Sequence, residues 1–213
     1  MVKNDVMLKL KAESGSMKRL IQSILSYYSD IDCDIRDKKI SKNPNIKNEY
    51  CQRHFFIPLS IECLLDSLHF IKQYLVKRDR LTNNFCGRYK FLDAGCGIGW
   101  VTQLAQGYGY DSYGIDIEPH NIYIAKRLFH WYSGKFEVAD ITKYQYKDYD
   151  VVYYYVPIRD EELESKFEKK VNRELKIGSI VCGFGERHLH KNKCFKRLIR
   201  DKPIYEKISY KVK

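Results

Sequence analysis

The sequence predicts an α/β fold with a doubly wound, mostly parallel sheet, and three observations predict it. Short apolar runs alternate with helical stretches from Tyr89 onward, as in chains built from strand–helix–strand units. One run, Asp150 to Val156, is apolar or aromatic after its first residue, the pattern of a strand covered on both faces. Alternate glycines, Gly95, Gly97 and Gly99, separate the first run from the helix after it, where the chain must turn sharply.

In chain order, Ser16 to Tyr28 reads as an amphipathic helix. Met17, Leu20, Ile21, Ile24, Leu25 and Tyr28 fall at helical spacing, and Ser16 is placed to cap it. Ser29 to Asn48 is polar and reads as a long loop. Residues 1–53 are therefore expected to form an N-terminal helical extension, a candidate substrate lid, ahead of a main domain over residues 54–213. Ser60 is the expected cap of a strong helix with Ile61, Leu64, Leu65, Leu68, Ile71 and Leu75 as its buried stripe. Strands follow at Tyr89 to Asp93, Ser112 to Ile117, Lys135 to Ala139, Asp150 to Val156 and Ser179 to Phe184. Helices are expected at Gly99 to Gln106, at Pro119 to Tyr132 with proline in its favoured first position, and at Asp160 to Leu175. The tail, Cys194 to Arg200 and Ile204 to Val212, reads as a closing β-hairpin.

The chain has 213 residues, 44% of them hydrophobic, enough for one α/β domain with an extension. Lys and Arg number 38 against 27 Asp and Glu, a formal net charge of +11. Such an excess attracts anions, nucleic acid among them, or is simply spread over solvated faces. The 7 cysteines are odd in number and form no Cys-x-x-Cys pair, which argues against a disulfide framework or a zinc ribbon and for a reducing compartment. The first residues lack the apolar segment of a signal peptide, and no run is long enough to span a bilayer. The expectation is a cytoplasmic protein without membrane insertion.

The segment that carries chemistry is Phe91-Leu92-Asp93-Ala94-Gly95-Cys96-Gly97-Ile98-Gly99-Trp100. Gly95 and Gly97 let the backbone come within contact of a ligand where any Cβ would intrude. The helix after Gly99 offers unpaired N–H groups and its positive dipole end. Read without a ligand, the same residues make a tight strand-to-helix turn.

Asp93-x-Gly95-x-Gly97-x-Gly99 resembles motif I of the class I, seven-β-strand S-adenosylmethionine-dependent methyltransferases, and the resemblance continues in register over roughly residues 55 to 185. It implies seven strands with the last antiparallel, and S-adenosylmethionine as cofactor with S-adenosylhomocysteine as product. It further implies that Asp93 helps hold the cofactor's amino-acid end and that Asp116, followed by Ile117, takes the ribose hydroxyls. Asp140 would accept from the adenine amino group, with the Ile141 backbone approaching the ring. On the residues alone, Asp116 could instead cap the helix at Pro119, and Asp140 could be an ordinary loop acid.

Where family members that methylate exocyclic base amines carry Asn/Asp-Pro-Pro-Tyr/Phe, this chain has Tyr155-Val156-Pro157-Ile158. The carbonyl acceptors for a planar amine are missing, so a protein (lysine) or small-molecule acceptor is favoured over a base amine. The element is faintly similar to protein-lysine methyltransferases of the same class whose fifth strand is followed by a hairpin with little helix between. RNA is the alternative acceptor, and a binding module without catalysis is a third possibility. Strand alternation puts Tyr153 and Tyr155 on one face and Tyr154 on the other. Tyr155, at the strand end, is the catalytic-site candidate. His188, His190, Cys182 and Cys194 match no standard zinc spacing, so no metal is expected. Lys191, Lys193, Lys196, Arg197 and Arg200 form a basic run that could touch phosphates or protect a sheet edge.

Overall fold

The computed structural model describes residues 61–81, 85–130, 135–156, 158, 160–186 and 188–210. The extension expected over residues 1–53, its boundary, and Ser60 as a cap lie outside them. The chain divides into Met1–Leu64 and Leu65–Lys213, and the second unit holds the sheet.

The described elements are α1 (Ile61–Arg78), β1 (Lys90–Ala94), α2 (Trp100–Gly107), β2 (Asp111–Asp116), α3 (Pro119–Leu128), β3 (Phe136–Val138), β4 (Val151–Tyr155), α4 (Glu161–Glu174), β5 (Ile180–Phe184), a 3₁₀ turn (Leu189–Lys191), β6 (Phe195–Arg197) and β7 (Ile204–Lys207). The seven strands form one sheet in the order β3-β2-β1-β4-β5-β7-β6. β1 to β5 are parallel, and β7 runs antiparallel to both β5 and β6. The expected hairpin is therefore β6–β7, with shorter strands than the sequence suggests. Pro119 opens α3 as expected. Among the described residues, one 3₁₀ turn lies between β5 and β6.

The two faces are covered by different helices. Leu92, Val152, Tyr154 and Val181 pack with Phe167 and Val171 of α4 and with Leu175, its C-cap, in one core cluster. Tyr154 meets Phe167 edge to face at 5.0 Å, and Tyr146 also meets Phe167, at 5.9 Å. On the opposite face Phe91 stacks on Tyr153 at 6.2 Å and leans on Tyr110 at 5.4 Å. Tyr110 donates to the Leu68 carbonyl of α1 at 3.3 Å. Val151 to Tyr154 are buried throughout, which is why β4 shows no polar alternation. Asp160 caps α4, its side chain accepting from the Leu163 amide at 2.8 Å.

The hairpin is tied to α4 through Lys207. Its ammonium is fully buried, bonds the backbone carbonyl and side-chain oxygen of Asn172, and lies 5.1 Å from the Phe195 ring and 5.3 Å from the Tyr210 ring. Burial without a carboxylate among these contacts lowers its pKa.

Glycine sets how closely α2 and α3 approach the sheet. A Cβ on Gly114 would meet Thr102 Oγ1 at 2.6 Å, Phe136 at 2.9 Å and Cys96 Sγ at 3.0 Å. Gly114→Ala is expected to lose about 1–3 kcal/mol, the usual cost of overpacking, read as a lower urea midpoint. An unchanged midpoint would mean that α2 has room to withdraw from β2.

Candidate active site

Strand order reverses between β1 and β4, the switch point beyond which open α/β sheets bind ligands at the carboxyl ends of their strands. The glycine turn lies there. Gly95, Gly97 and Gly99 have φ of 87°, 53° and 88°, left-handed values that other residues adopt only with strain. Gly95 and Cys96 both donate to the Ile115 carbonyl at 2.8 Å, folding the turn back over β2. The roles of the glycines differ. A Cβ on Gly97 would meet nothing within 4 Å, so open space lies over it. One on Gly99 would strike the Phe136 ring at 2.6 Å. Gly99 is thus required for packing and Gly97 for the turn beneath an open surface.

Asp116, at the end of β2, is 9% exposed. Its Oδ2 accepts from the Gly97 amide at 2.8 Å, and its Oδ1 accepts from the Glu118 amide at 2.8 Å. The carboxylate therefore bridges the turn and the residue that precedes α3. Oδ1 also accepts from Asn121 Nδ2 at 3.4 Å. Beside it two large apolar side chains face solvent, Ile117 (54% exposed) and Val138 (48%). β3 pairs with β2 so that Val138 stands opposite Asp116.

Asp140 follows β3. Its Oδ1 accepts from the Thr142 amide and hydroxyl at 2.9 and 2.6 Å, and its Oδ2 faces Lys143 at 3.1 Å. Burial raises its pKa, but the Thr142 bonds and Lys143 outweigh this, and the net shift is downward. Ile141 is buried in the core, and its carbonyl accepts from the Tyr146 hydroxyl at 2.5 Å.

Asp93 is placed differently from the other acids. It is 1% exposed, and its Oδ2 accepts from the Thr102 amide at 3.1 Å and the Thr102 hydroxyl at 2.9 Å. It thus anchors α2 from beneath the turn.

Tyr155 ends β4, half-buried, opposite Phe184 of β5 and 5.9 Å from its ring. Tyr153 shares Phe184 at 6.0 Å, and Tyr154 points to the other face, as strand alternation requires. The chain then bends abruptly. Val156 has φ 41° and Gly185, at the end of β5, φ 77°. A Cβ on Gly185 would meet Val156 Cγ2 at 2.6 Å. A β-branched residue in the left-handed region costs on the order of 1–3 kcal/mol. Behind this corner Glu168 of α4 is 3% exposed. It accepts from the Tyr154 hydroxyl at 3.1 Å and from the His188 amide at 3.0 Å, so one carboxylate pins β4, α4 and the loop after β5.

Several of these residues escape pattern reading. Gly114 carries a signal, since glycine inside a strand marks close approach. Thr102, Val138 and Glu168 carry none beyond their places on predicted elements. Among the described residues no group of three or more His, Cys, Asp or Glu could hold a metal ion, and no helix is long and apolar enough to cross a membrane.

Burial pushes the Asp93 carboxyl up to about 7, against the Thr102 bonds that lower it, and the neighbouring Asp116 adds to the rise. A carboxyl whose folded pKa lies above its unfolded value contributes stability that is full below the unfolded pKa and is lost as pH rises through the folded one. The stability of the protein relative to Asp93→Asn should therefore fall between about pH 4 and pH 7 and level off above, measured by urea unfolding across that range. A flat difference would mean that Asp93 is ionised throughout.

Residues 92–182, spanning from β1 into β5, match the family model described as a methyltransferase domain. No curated protein matches the chain. An RNA methyltransferase from Salinibacter ruber, solved with S-adenosyl-L-homocysteine, shares the fold at TM-score 0.51 and 15% identity, over 74% of this chain and 97% of that one. A TehB-like SAM-dependent methyltransferase from Corynebacterium glutamicum aligns at TM-score 0.40 and 21% identity, over 55% and 72% of the two chains. A sugar N-methyltransferase from Streptoalloteichus aligns at 0.43 and 15%, over 61% and 56%. The match to a methyltransferase domain over residues 92–182 and the fold shared with the Salinibacter enzyme agree with the resemblance to class I S-adenosylmethionine-dependent methyltransferases.

Proposed function

We propose that the chain transfers the methyl group of S-adenosylmethionine to an acceptor entering at the carboxyl ends of β4 and β5, beside Tyr155. The observation that carries the reading is Asp116, held between the Gly97 and Glu118 amides at the edge of open space and flanked by exposed Ile117 and Val138. These residues fit the cofactor's chemistry. A carboxylate suits vicinal ribose hydroxyls, apolar side chains suit the two faces of a purine, and Gly95 and Gly97 admit close backbone approach. Asp140 is assigned to the adenine amino group, exchanging its contact with Lys143, whose side chain is 84% exposed. The Ile141 backbone lies next to it. Asp93 acts from below by holding α2 and the turn in place.

S-adenosylmethionine, when bound, supplies a methyl group on a positively charged sulfur and thus already activated. The residues of the chain then need to orient the acceptor in line and exclude water. Tyr155 and Phe184 form the aromatic wall assigned to the acceptor. Desolvation against that wall lowers the pKa of an amine and favours its nucleophilic, neutral form. Tyr155-Val156 in place of an Asn/Asp-Pro start disfavours an exocyclic base amine. A protein (lysine) side chain or a small molecule is therefore the first reading. A second reading, an RNA acceptor, draws support from the net charge of +11 and from the basic edge described below.

Asp116→Ala should weaken S-adenosylhomocysteine binding roughly tenfold to a hundredfold, the effect of losing hydrogen bonds to a charged group worth about 1.5–3 kcal/mol. Isothermal titration of both proteins reads this directly, and equal affinities would sink the assignment. Tyr155→Ala should leave that affinity in place and lower transfer of labelled methyl groups to acceptors in a cell extract. Tyr155→Phe should retain most transfer if the ring acts as a wall.

A further inference from the structure

We propose that the sheet edge formed by β6 and its flanking loops binds the phosphodiester backbone of a single nucleic acid strand. Lys191, Lys193, Lys196, Arg197 and Arg200 are all exposed there, and Asp201 is the only carboxylate between Leu189 and Lys202. None of the five cations makes an ion pair with a carboxylate among the described residues. On α4 the pattern is opposite, with Lys166 paired to Glu162 and both Lys170 and Arg173 paired to Glu174. Arg197 is also held in place. Its Nε donates to the Ile199 and Lys202 carbonyls, both at 3.2 Å, and its guanidinium lies 5.7 Å from the Tyr205 ring. A guanidinium fixed in this way loses little freedom on meeting a phosphate.

Protection of an exposed strand edge accounts for Lys196, which stands on the edge strand itself. It does not account for Lys191, Lys193 and Arg200, which lie outside the strand. The position is also suggestive of use. The Gly183 amide donates to the Pro203 carbonyl at 3.0 Å, so the β6–β7 turn carrying Arg200 sits beside the end of β5, next to Phe184. The cations thus run from the acceptor end of the sheet along its open edge.

Three anionic partners could meet such an edge. Stable attachment to a membrane surface takes apolar insertion in addition to basic charge, and none of the exposed large hydrophobic residues falls between Leu189 and Lys202. An acidic peptide would need an unbroken acidic run of matching length. A nucleic acid strand carries one charge at every unit by its constitution. The proposal concerns the partner held at this edge, and it stands whichever molecule takes the methyl group.

The test is fluorescence anisotropy of a labelled, unstructured RNA oligonucleotide at increasing salt, with wild-type protein and the Lys193→Glu/Lys196→Glu/Arg200→Glu variant. Titration with S-adenosylhomocysteine serves as the fold control. Five phosphate contacts predict a slope of log K against log salt of about −3.5, and removal of three should reduce it by about 2. Affinity at low salt should fall at least tenfold, with S-adenosylhomocysteine binding unchanged. RNA binding that the variant retains, no RNA binding at low salt, or equal binding of a polyglutamate peptide or of phosphatidylserine vesicles would each overturn the proposal. RNA binding without S-adenosylhomocysteine binding would support this surface while overturning the cofactor assignment of the preceding section.

Discussion

The close approach of α2 to β1 and β2 is the constraint on which the geometry of the site depends. Neither Gly99 nor Gly114 has room for a Cβ, because Phe136 and Thr102 already occupy that space. The same approach lets the Thr102 amide and hydroxyl reach the buried Asp93, and it brings the Gly97 amide to Asp116. A buried carboxylate left without donors would carry a large desolvation penalty. Thr102 therefore fixes where α2 must sit, and the turn above it inherits that position. Two acids with the same side chain are separated by this packing. Asp93 is sealed beneath the turn and raised in pKa, and Asp116 remains at its rim.

The far half of the sheet follows a parallel logic with other residues. Tyr154 places its hydroxyl in the α4 core, where it would be costly unpaired, and Glu168 accepts from it. The pair raises the Tyr154 pKa, mainly through burial and next through Glu168. Because Glu168 also holds the His188 amide, the loop after β5 is set by the same carboxylate that satisfies β4. At the Val156–Gly185 corner both backbones are left-handed, and the Val156 amide donates to the Phe184 carbonyl at 2.9 Å. Strain at the end of β4 is thus located where the acceptor is proposed to enter.

The sequence by itself determined the strand–helix order, because periodicity and turn residues are local properties. It determined that β4 is covered on both faces, that Pro119 opens a helix, and that Gly95, Gly97 and Gly99 make a sharp turn. The alternation of Tyr153 to Tyr155 was legible for the same reason, since side-chain direction along a strand follows from covalent geometry. The tertiary structure alone decided what each of those residues does. Asp93 and Asp116 look alike in a motif, yet burial by α2 separates an anchor from a rim residue. Gly97 and Gly99 share a spacing, yet one lies under open space and the other against Phe136. Glu168 and Thr102 become important only through contacts from distant segments, and Glu206, which stands opposite Lys196 in the sheet, pairs with Arg78 because the fold brings α1 beside β7. Local sequence encodes backbone shape, whereas burial and partnership are set by residues far apart in the chain, and it is burial and partnership that decide chemistry.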